Sequence, residues 1–267
     1  MASINELPEE VLLELFSLVP ARELLRRCRP VCSLWRDLID QVSLWKRKCL
    51  REGFISEYQD KPVAGWKVFY FLCSLHRNLI HNPCGKDGFN FWENEQRAEN
   101  HWSIQDISGF HGKEFPDPRV RKCFLADYGD CLKSQLVDLK AEGYSEELMD
   151  TVRPDIVIKD WFAVTSNCCY NYYICVHLLC DDFETLDMFE LTQVVVDGRH
   201  NSEWKEVSHT FSNYPPGVRH IYFQHGQRDT QGWPVWFGYL FTNSSITIGP
   251  EITRMPSCAE EPARCNN

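Results

Sequence analysis

Along the first fifty residues, apolar side chains recur at helical spacing. Val11, Leu12, Leu15, Phe16 and Val19 fall at i, i+1, i+4, i+5 and i+8, one stripe of an α-helix. Pro8 suits the first turn of that helix. Pro20 ends it, because a residue before proline is driven towards extended backbone. The pattern predicts a second helix over 21–29, with Leu24, Leu25 and Cys28 as its stripe. Pro30 ends that one and opens a third, carrying Val31, Leu34, Trp35, Leu38 and Ile39 on one face. Leu44 and Trp45 mark a further short helix that runs into Lys46-Arg47-Lys48. Helices this short cannot bury all of these side chains among themselves, since small units bury a low fraction of their surface. The leftover apolar face implies a partner. Over 51–80, Trp66, Val68, Phe69, Phe71, Leu72 and Leu75 predict a helical connector, a stiff spacer without Gly/Ser enrichment.

Beyond residue 80 the pattern changes to short runs rich in Val, Ile, Tyr, Phe and Trp, separated by Asn, Asp, Gly and Pro. Residues 155–164, 172–180, 192–197, 204–212, 218–225 and 236–248 are the strand candidates. Several short strands with few helices between them predict an antiparallel β-sandwich. Residues 144–152 are the exception, a short helix. The fold class is therefore α+β, with domains at 1–50, a linker at 51–80, a sandwich at 81–250 and a disordered tail at 251–267.

Composition narrows the function. There are 28 Lys+Arg against 38 Asp+Glu, a net charge of −10. That balance argues against a nucleic-acid binder, which needs cations for phosphate. No apolar run approaches the ~18–20 residues that span a bilayer. The start of the chain lacks the basic region of a signal peptide. The 13 cysteines are an odd number without paired knuckle spacing, so free thiols in a reducing compartment are expected. Cys168, Cys169, Cys175, His177 and Cys180 form the one dense cluster, expected to be core rather than a metal site. Catalytic motifs are absent: there is no G-x-S-x-G elbow, P-loop or H-E-x-x-H. The pairs Asp181-Asp182 and Glu146-Glu147 are adjacent in sequence, the wrong spacing for a two-carboxylate glycosidase site. His209 and His225 could meet a cysteine only through the fold.

Leu7-Pro8-Glu9-Glu10-Val11, Leu15, Val19-Pro20, Leu24, Val31-Cys32-x-x-Trp35 and Leu44-Trp45 together resemble an F-box. Arg77-Asn78-Leu79, Asn82-Pro83-Cys84, the run Lys133-Ser134-Gln135-Leu136-Val137-Asp138-Leu139 and Glu142-Gly143-Tyr144 resemble an F-box-associated domain. Lys159-Asp160-Trp161, Phe223-x-His225-Gly226, Asp229-Thr230 and Thr242-Asn243-Ser244-Ser245 extend that resemblance over nearly the whole chain. The family is that of the sugar-recognising F-box proteins. The resemblance implies a galactose-binding-like, jelly-roll sandwich and no catalysis or cofactor. It implies that Leu7, Pro8, Val11, Leu15, Leu24, Val31, Leu34 and Trp35 meet the Skp adaptor of a cullin-RING ubiquitin ligase. It also implies that the sandwich binds the chitobiose core of high-mannose N-glycans on misfolded glycoproteins in the cytoplasm, for ER-associated degradation.

By the same resemblance, Tyr128, Asn167 and Trp233 take the glycan positions, with Trp233 stacking on the sugar. Gly232 and Pro234 depart from the family, removing an aromatic wall and a cation. Asn167 stands where a carboxylate would be the stronger acceptor. Two alternatives stay open: the same adaptor reading a protein surface, and a glycan-processing or thiol enzyme. The sequon Asn243-Ser244-Ser245 carries no glycan if the protein is cytosolic.

Overall fold

The computed structural model describes residues 4–56, 65–94, 102–109, 114–127, 129–164, 170–194, 203–229 and 238–250. The chain divides into two compact units, Met1–His76 with Gly249–Asn267, and Arg77–Ile248. The expected tail at 251–267 lies outside the described residues.

In the helical unit, α1 spans Glu9–Leu18, with Pro8 at its N-cap and the turn before Pro20 at its end. It buries Leu12, Leu13 and Phe16. α2 (Ala21–Glu23) runs directly into a wider π-type turn over Leu24–Cys28. α3 spans Ser33–Ile39. The third helix thus starts after Val31, not at it. Pro30 has no N–H to donate, and the chain closes a turn there with the Val31 N–H on the Cys28 carbonyl at 3.1 Å. α4 spans Val42–Arg51, and the Trp45 indole donates to the Ile39 carbonyl at 2.8 Å.

Lys48 reads in the sequence as part of a basic run, yet it is buried. Its ammonium donates to the carbonyls of Ser17 and Val19 at 3.2 and 3.0 Å, capping the end of α1. A cation at the helix C-terminus satisfies carbonyls that have no helical partner and meets the negative end of the dipole. Arg47 and Arg51 of the same helix pair with Glu10 and Glu14 of α1.

α5 (Trp66–Leu75) lies where the helical connector is expected, and it packs within the helical unit. Tyr70 and Phe71 place their rings 5.3 and 5.4 Å from Trp45, and the Tyr70 hydroxyl donates to Glu52 at 2.7 Å. The helix is part of the unit's core because its apolar face is too wide to be left in water.

The second unit is a sandwich of two five-stranded antiparallel sheets. Its strands are β1 (Glu93–Asn94), β2 (Trp102–Asp106), β3 (Lys122–Ala126), β4 (Cys131–Asp138) and β5 (Ile156–Val164). They continue with β6 (Tyr170–Leu179), β7 (Thr185–Val194), β8 (Lys205–Phe211), β9 (His220–Asp229) and β10 (Tyr239–Ile248). The sheets are ordered β1-β4-β9-β6-β7 and β2-β3-β10-β5-β8. Residues 148–152 form a π-type turn within the helical stretch expected there. Of the expected strand 192–197, residues 195–197 lie outside the described residues; β7 spans Thr185–Val194 and so begins well before the expected start. No described side chain of this edge strand is buried, so no sealed face imposes an alternation on its sequence.

Candidate functional site

On the helical unit, Val11, Leu15 and Leu18 share one face of α1, opposite the buried Leu12, Leu13 and Phe16. Leu7, Val11, Leu15 and Val31 are 39, 42, 40 and 57% exposed. Pro8 is exposed, and Leu34 and Trp35 are half-buried at the margin of the core. Trp35 packs edge-on to Phe16 at 5.0 Å and donates its indole N–H to Asn5 at 2.9 Å. Leu24 is the exception among the expected contact residues. It is wholly buried and supports the face from beneath. The spacing of Leu15 and Leu18, three apart, could have added Leu18 to the face; Ile4 and Val42 are further exposed apolar residues that pattern reasoning missed.

The sandwich interior carries polar side chains where a plain core is expected. Asp160 on β5 is wholly buried. Its carboxylate accepts from the Tyr172 hydroxyl at 2.8 Å, from His225 Nδ1 at 2.8 Å and from the Ser244 hydroxyl at 2.7 Å. Burial penalises that charge, but the three donors, His225 foremost, outweigh the penalty and hold the Asp160 carboxyl below its usual range. Burial pushes the His225 imidazole the other way, well below its ordinary value, against the pull of Asp160. The two side chains meet as a buried pair, His225 Nδ1 against Asp160 Oδ2 at 2.8 Å.

Lys133, the cross-strand partner of His225, is also fully buried. Its ammonium sits 3.2 Å from the Trp92 ring centre and 3.7 Å from that of Phe124, and it makes no hydrogen bond among the described residues. Burial drives its pKa down, with Asp160 opposing. Ser244, the middle residue of the sequon, is buried with its hydroxyl on Asp160.

At one end of the sandwich the ends of β3 and β5 flank the start of β10, with Leu240 opposite Leu125 and Tyr239 opposite Val164. In the other sheet the start of β4 and the start of β6 flank the end of β9. Buried Gln227 ties this rim together. Its amide donates to the Gly129 carbonyl at 3.0 Å, and its carbonyl accepts from the Tyr239 N–H at 3.1 Å. Gly226 and Gly238 allow the approach. A Cβ on Gly226 would lie 1.8 Å from the Cys131 oxygen, and one on Gly238 1.7 Å from the Ala126 oxygen. Tyr128, Asn167, Gly232, Trp233 and Pro234 lie outside the described residues.

Residues 4–51 match the F-box-like family, and residues 70–248 match the family described as the F-box associated region. The chain belongs to the F-box proteins with an F-box-associated region. Mouse (Mus musculus) F-box only protein 44 is 59% identical over 252 residues, 94% of this chain and 99% of that protein. Bovine (Bos taurus) F-box only protein 6 is 56% identical over 256 residues, 96% of this chain and 97% of that protein. Bovine F-box only protein 2 is 40% identical over 254 residues, covering 93% and 85%.

Within the F-box-associated region, the histidines do not assemble with thiols in the way that was open from sequence. His225 pairs with Asp160, and His209 stacks on Phe189 at 4.2 Å. The histidine that meets a thiol is His177, with Nε2 2.9 Å from Cys175 Sγ and Nδ1 3.0 Å from the Thr185 hydroxyl. Burial and then the Glu190 charge push the Cys175 thiol up, although Tyr173 opposes them. A protonated thiol is a poor nucleophile. Among the described residues no three His, Cys, Asp or Glu side chains gather to hold a metal; Cys168 and Cys169 lie outside them. No described helix is long and apolar enough to cross a membrane.

Proposed function

We propose that this F-box protein is the substrate-recognition subunit of a Skp-cullin-F-box ubiquitin ligase. On this reading it recognises the chitobiose core of N-linked high-mannose glycans on misfolded glycoproteins in the cytosol, for ER-associated degradation. The observation that carries the adaptor half is the bare apolar face of α1. Leu7 just before the helix and Val11 and Leu15 on it follow one another every four residues, and each leaves about two fifths of its surface in water while the opposite side of α1 is sealed. A helix surface of that kind is a docking surface for a partner's helices.

The glycan half rests on the family match and on the rim. Tyr128, Asn167 and Trp233 belong to the connections that join the strand ends gathered by Gln227. A pyranose offers a face of C–H groups to an aromatic ring and a rim of hydroxyls to amides, which Trp233 and Asn167 supply by chemistry. The protein performs no covalent step in this scheme. It holds a client lysine close to ubiquitin carried elsewhere in the ligase, a contribution of proximity. The protonated Cys175 supports that non-enzymatic reading over a thiol enzyme.

The test is a titration of chitobiose, with a glycan array beside it, on the full chain bound to its Skp adaptor. Saturable chitobiose binding that is lost in Trp233→Ala is expected. Absence of sugar binding by folded, adaptor-bound protein rejects the glycan half.

A further inference from the structure

On the outer face of the sheet β1-β4-β9-β6-β7, Leu132, Tyr173 and Cys175 are buried, but one row of side chains is left open. Leu136, Tyr222, His177 and Met188 are successive cross-strand partners on β4, β9, β6 and β7, so their side chains stand in one row on that face. The opposite face of the same strands buries Val137, Phe223 and Val176 in the core. Phe183, in the turn between β6 and β7, extends the row by stacking on His220 at 4.6 Å. Leu136, Met188 and Phe183 are 51, 51 and 55% exposed. Phe183 also holds a φ of +61°, a left-handed conformation that a bulky aromatic rarely adopts. Glycine or asparagine would fit that turn better. The fold therefore keeps an open aromatic ring where local chemistry disfavours one.

Carboxylates surround the row. Asp138 and Glu190 lie on the same strands, opposite His220 and Cys175, and Asp181, Asp182 and Glu184 line the turn that carries Phe183. None of these five forms a side-chain ion pair among the described residues. Lys140, beside Asp138 and Asp181, is engaged by Glu146 at 3.0 Å. Arg219, also near Asp181, is engaged by Asp150 at 2.8 Å, so the patch is an apolar strip in an acidic frame whose neighbouring cations are paired elsewhere.

That chemistry selects the occupant. A second copy of the chain, meeting this face about a two-fold axis, would press like charges together. Anionic surfaces are repelled for the same reason. The complement is a polypeptide with apolar side chains flanked by lysine or arginine. The strip is narrow, five side chains across four strands and one turn, so it suits a short unfolded segment rather than a standard interface between folded proteins.

We propose that the outer face of this sheet binds an unfolded, basic and apolar segment of the client polypeptide. It is a second contact that works beside the glycan contact and rests on the client-adaptor reading. Two weak contacts on one client raise the effective concentration of each for its own site.

The probes are two permanently unfolded, glycan-free proteins of opposite charge: reduced and carbamidomethylated hen lysozyme, which is basic, and α-lactalbumin treated alike, which is acidic. Each is titrated against the full chain bound to its Skp adaptor. The comparison variant is Phe183→Asn with Leu136→Thr. Asparagine suits the positive φ and threonine suits a strand, so folding is preserved. The basic unfolded probe is expected to bind at least tenfold tighter than the acidic one, to weaken as salt is raised, and to lose at least tenfold in the double variant. Chitobiose affinity stays unchanged in that variant. Equal affinity for the two probes, equal binding of native lysozyme, or no loss in the double variant overturns the proposal. Because neither probe carries sugar, these outcomes are independent of the chitobiose titration.

Discussion

Replacing Asp160 with Asn tests whether the buried seam of the sandwich is held by a charge. The substitution keeps the shape but leaves one oxygen where two accepted three donors, from Tyr172, His225 and Ser244. The amide group then points a donor at one of them. It also removes the carboxylate charge that acts on the buried Lys133 amine. Breaking a buried charged network from one side costs about 3–5 kcal/mol, because the remaining charge is left uncompensated. For a domain of this size each kcal/mol moves the melting temperature by about 2–4 °C. The sandwich transition of Asp160→Asn is therefore expected ~6–20 °C below wild type in differential scanning calorimetry. Adding Lys133→Met removes the buried amine that Asp160 supports and gives a side chain that suits the cage of Trp92 and Phe124. The double variant should then be more stable than the sum of the singles by about 1–3 kcal/mol. A single variant within about 2 °C of wild type, or strict additivity in the double, refutes the charge account.

The same seam predicts a pH response. His225 has a depressed folded pKa, so the unfolded chain binds more protons as pH falls below about 6.5, and stability declines from there downwards. Asp160, also depressed, adds its loss only as pH falls below about 4, towards its own folded value. Urea midpoints measured between pH 7.5 and 4.5 should fall more steeply in wild type than in His225→Gln, where the half-buried His209 still contributes; parallel curves would contradict this. At the rim, Gly226→Ala sets a Cβ against the Cys131 carbonyl at a φ of +154° and should cost about 1–3 kcal/mol of sandwich stability, with an unchanged melting point as the contrary result. In the helical unit, Leu24→Ala should cost about 2–5 kcal/mol of stability through a cavity, read by thermal melting; a Leu24 variant that melts normally would place this residue outside the core.

The helical boundaries were legible because prolines punctuate them: Pro8, Pro20 and Pro30 mark a start, a stop and a turn. Val31 was drawn into a helix by its apolar character, yet it belongs to the turn that Pro30 imposes. The strands of the second half were legible where both faces are apolar or alternate, as in β5 and β10. β4 was not recognised as a strand by pattern. Its inward positions include Lys133 and Gln135, which pattern reasoning assigns to solvent. The charge on Lys133 is legible only when Trp92, Phe124 and Asp160 come together from distant parts of the chain. Lys48 was hidden in the same way, since its carbonyl partners on α1 are some thirty residues away. The outer strip was invisible because Leu136, Tyr222, His177 and Met188 become neighbours only through sheet register.

The account depends most directly on the open face of α1. Burying a whole Leu or Val contributes roughly 1.5–3 kcal/mol, and about two fifths of each side chain remains to be covered, so each offers a partner ~0.6–1.2 kcal/mol. Glutamates at Val11 and Leu15 would forfeit this and bring two charges into the contact. The decisive measurement is calorimetric titration of the Skp adaptor onto wild type and onto Val11→Glu/Leu15→Glu, with melting curves of both. Tight binding by wild type and a loss of at least 100-fold in a variant that melts normally is the predicted result. Undiminished binding by that variant, or no binding by wild type, would contradict the account.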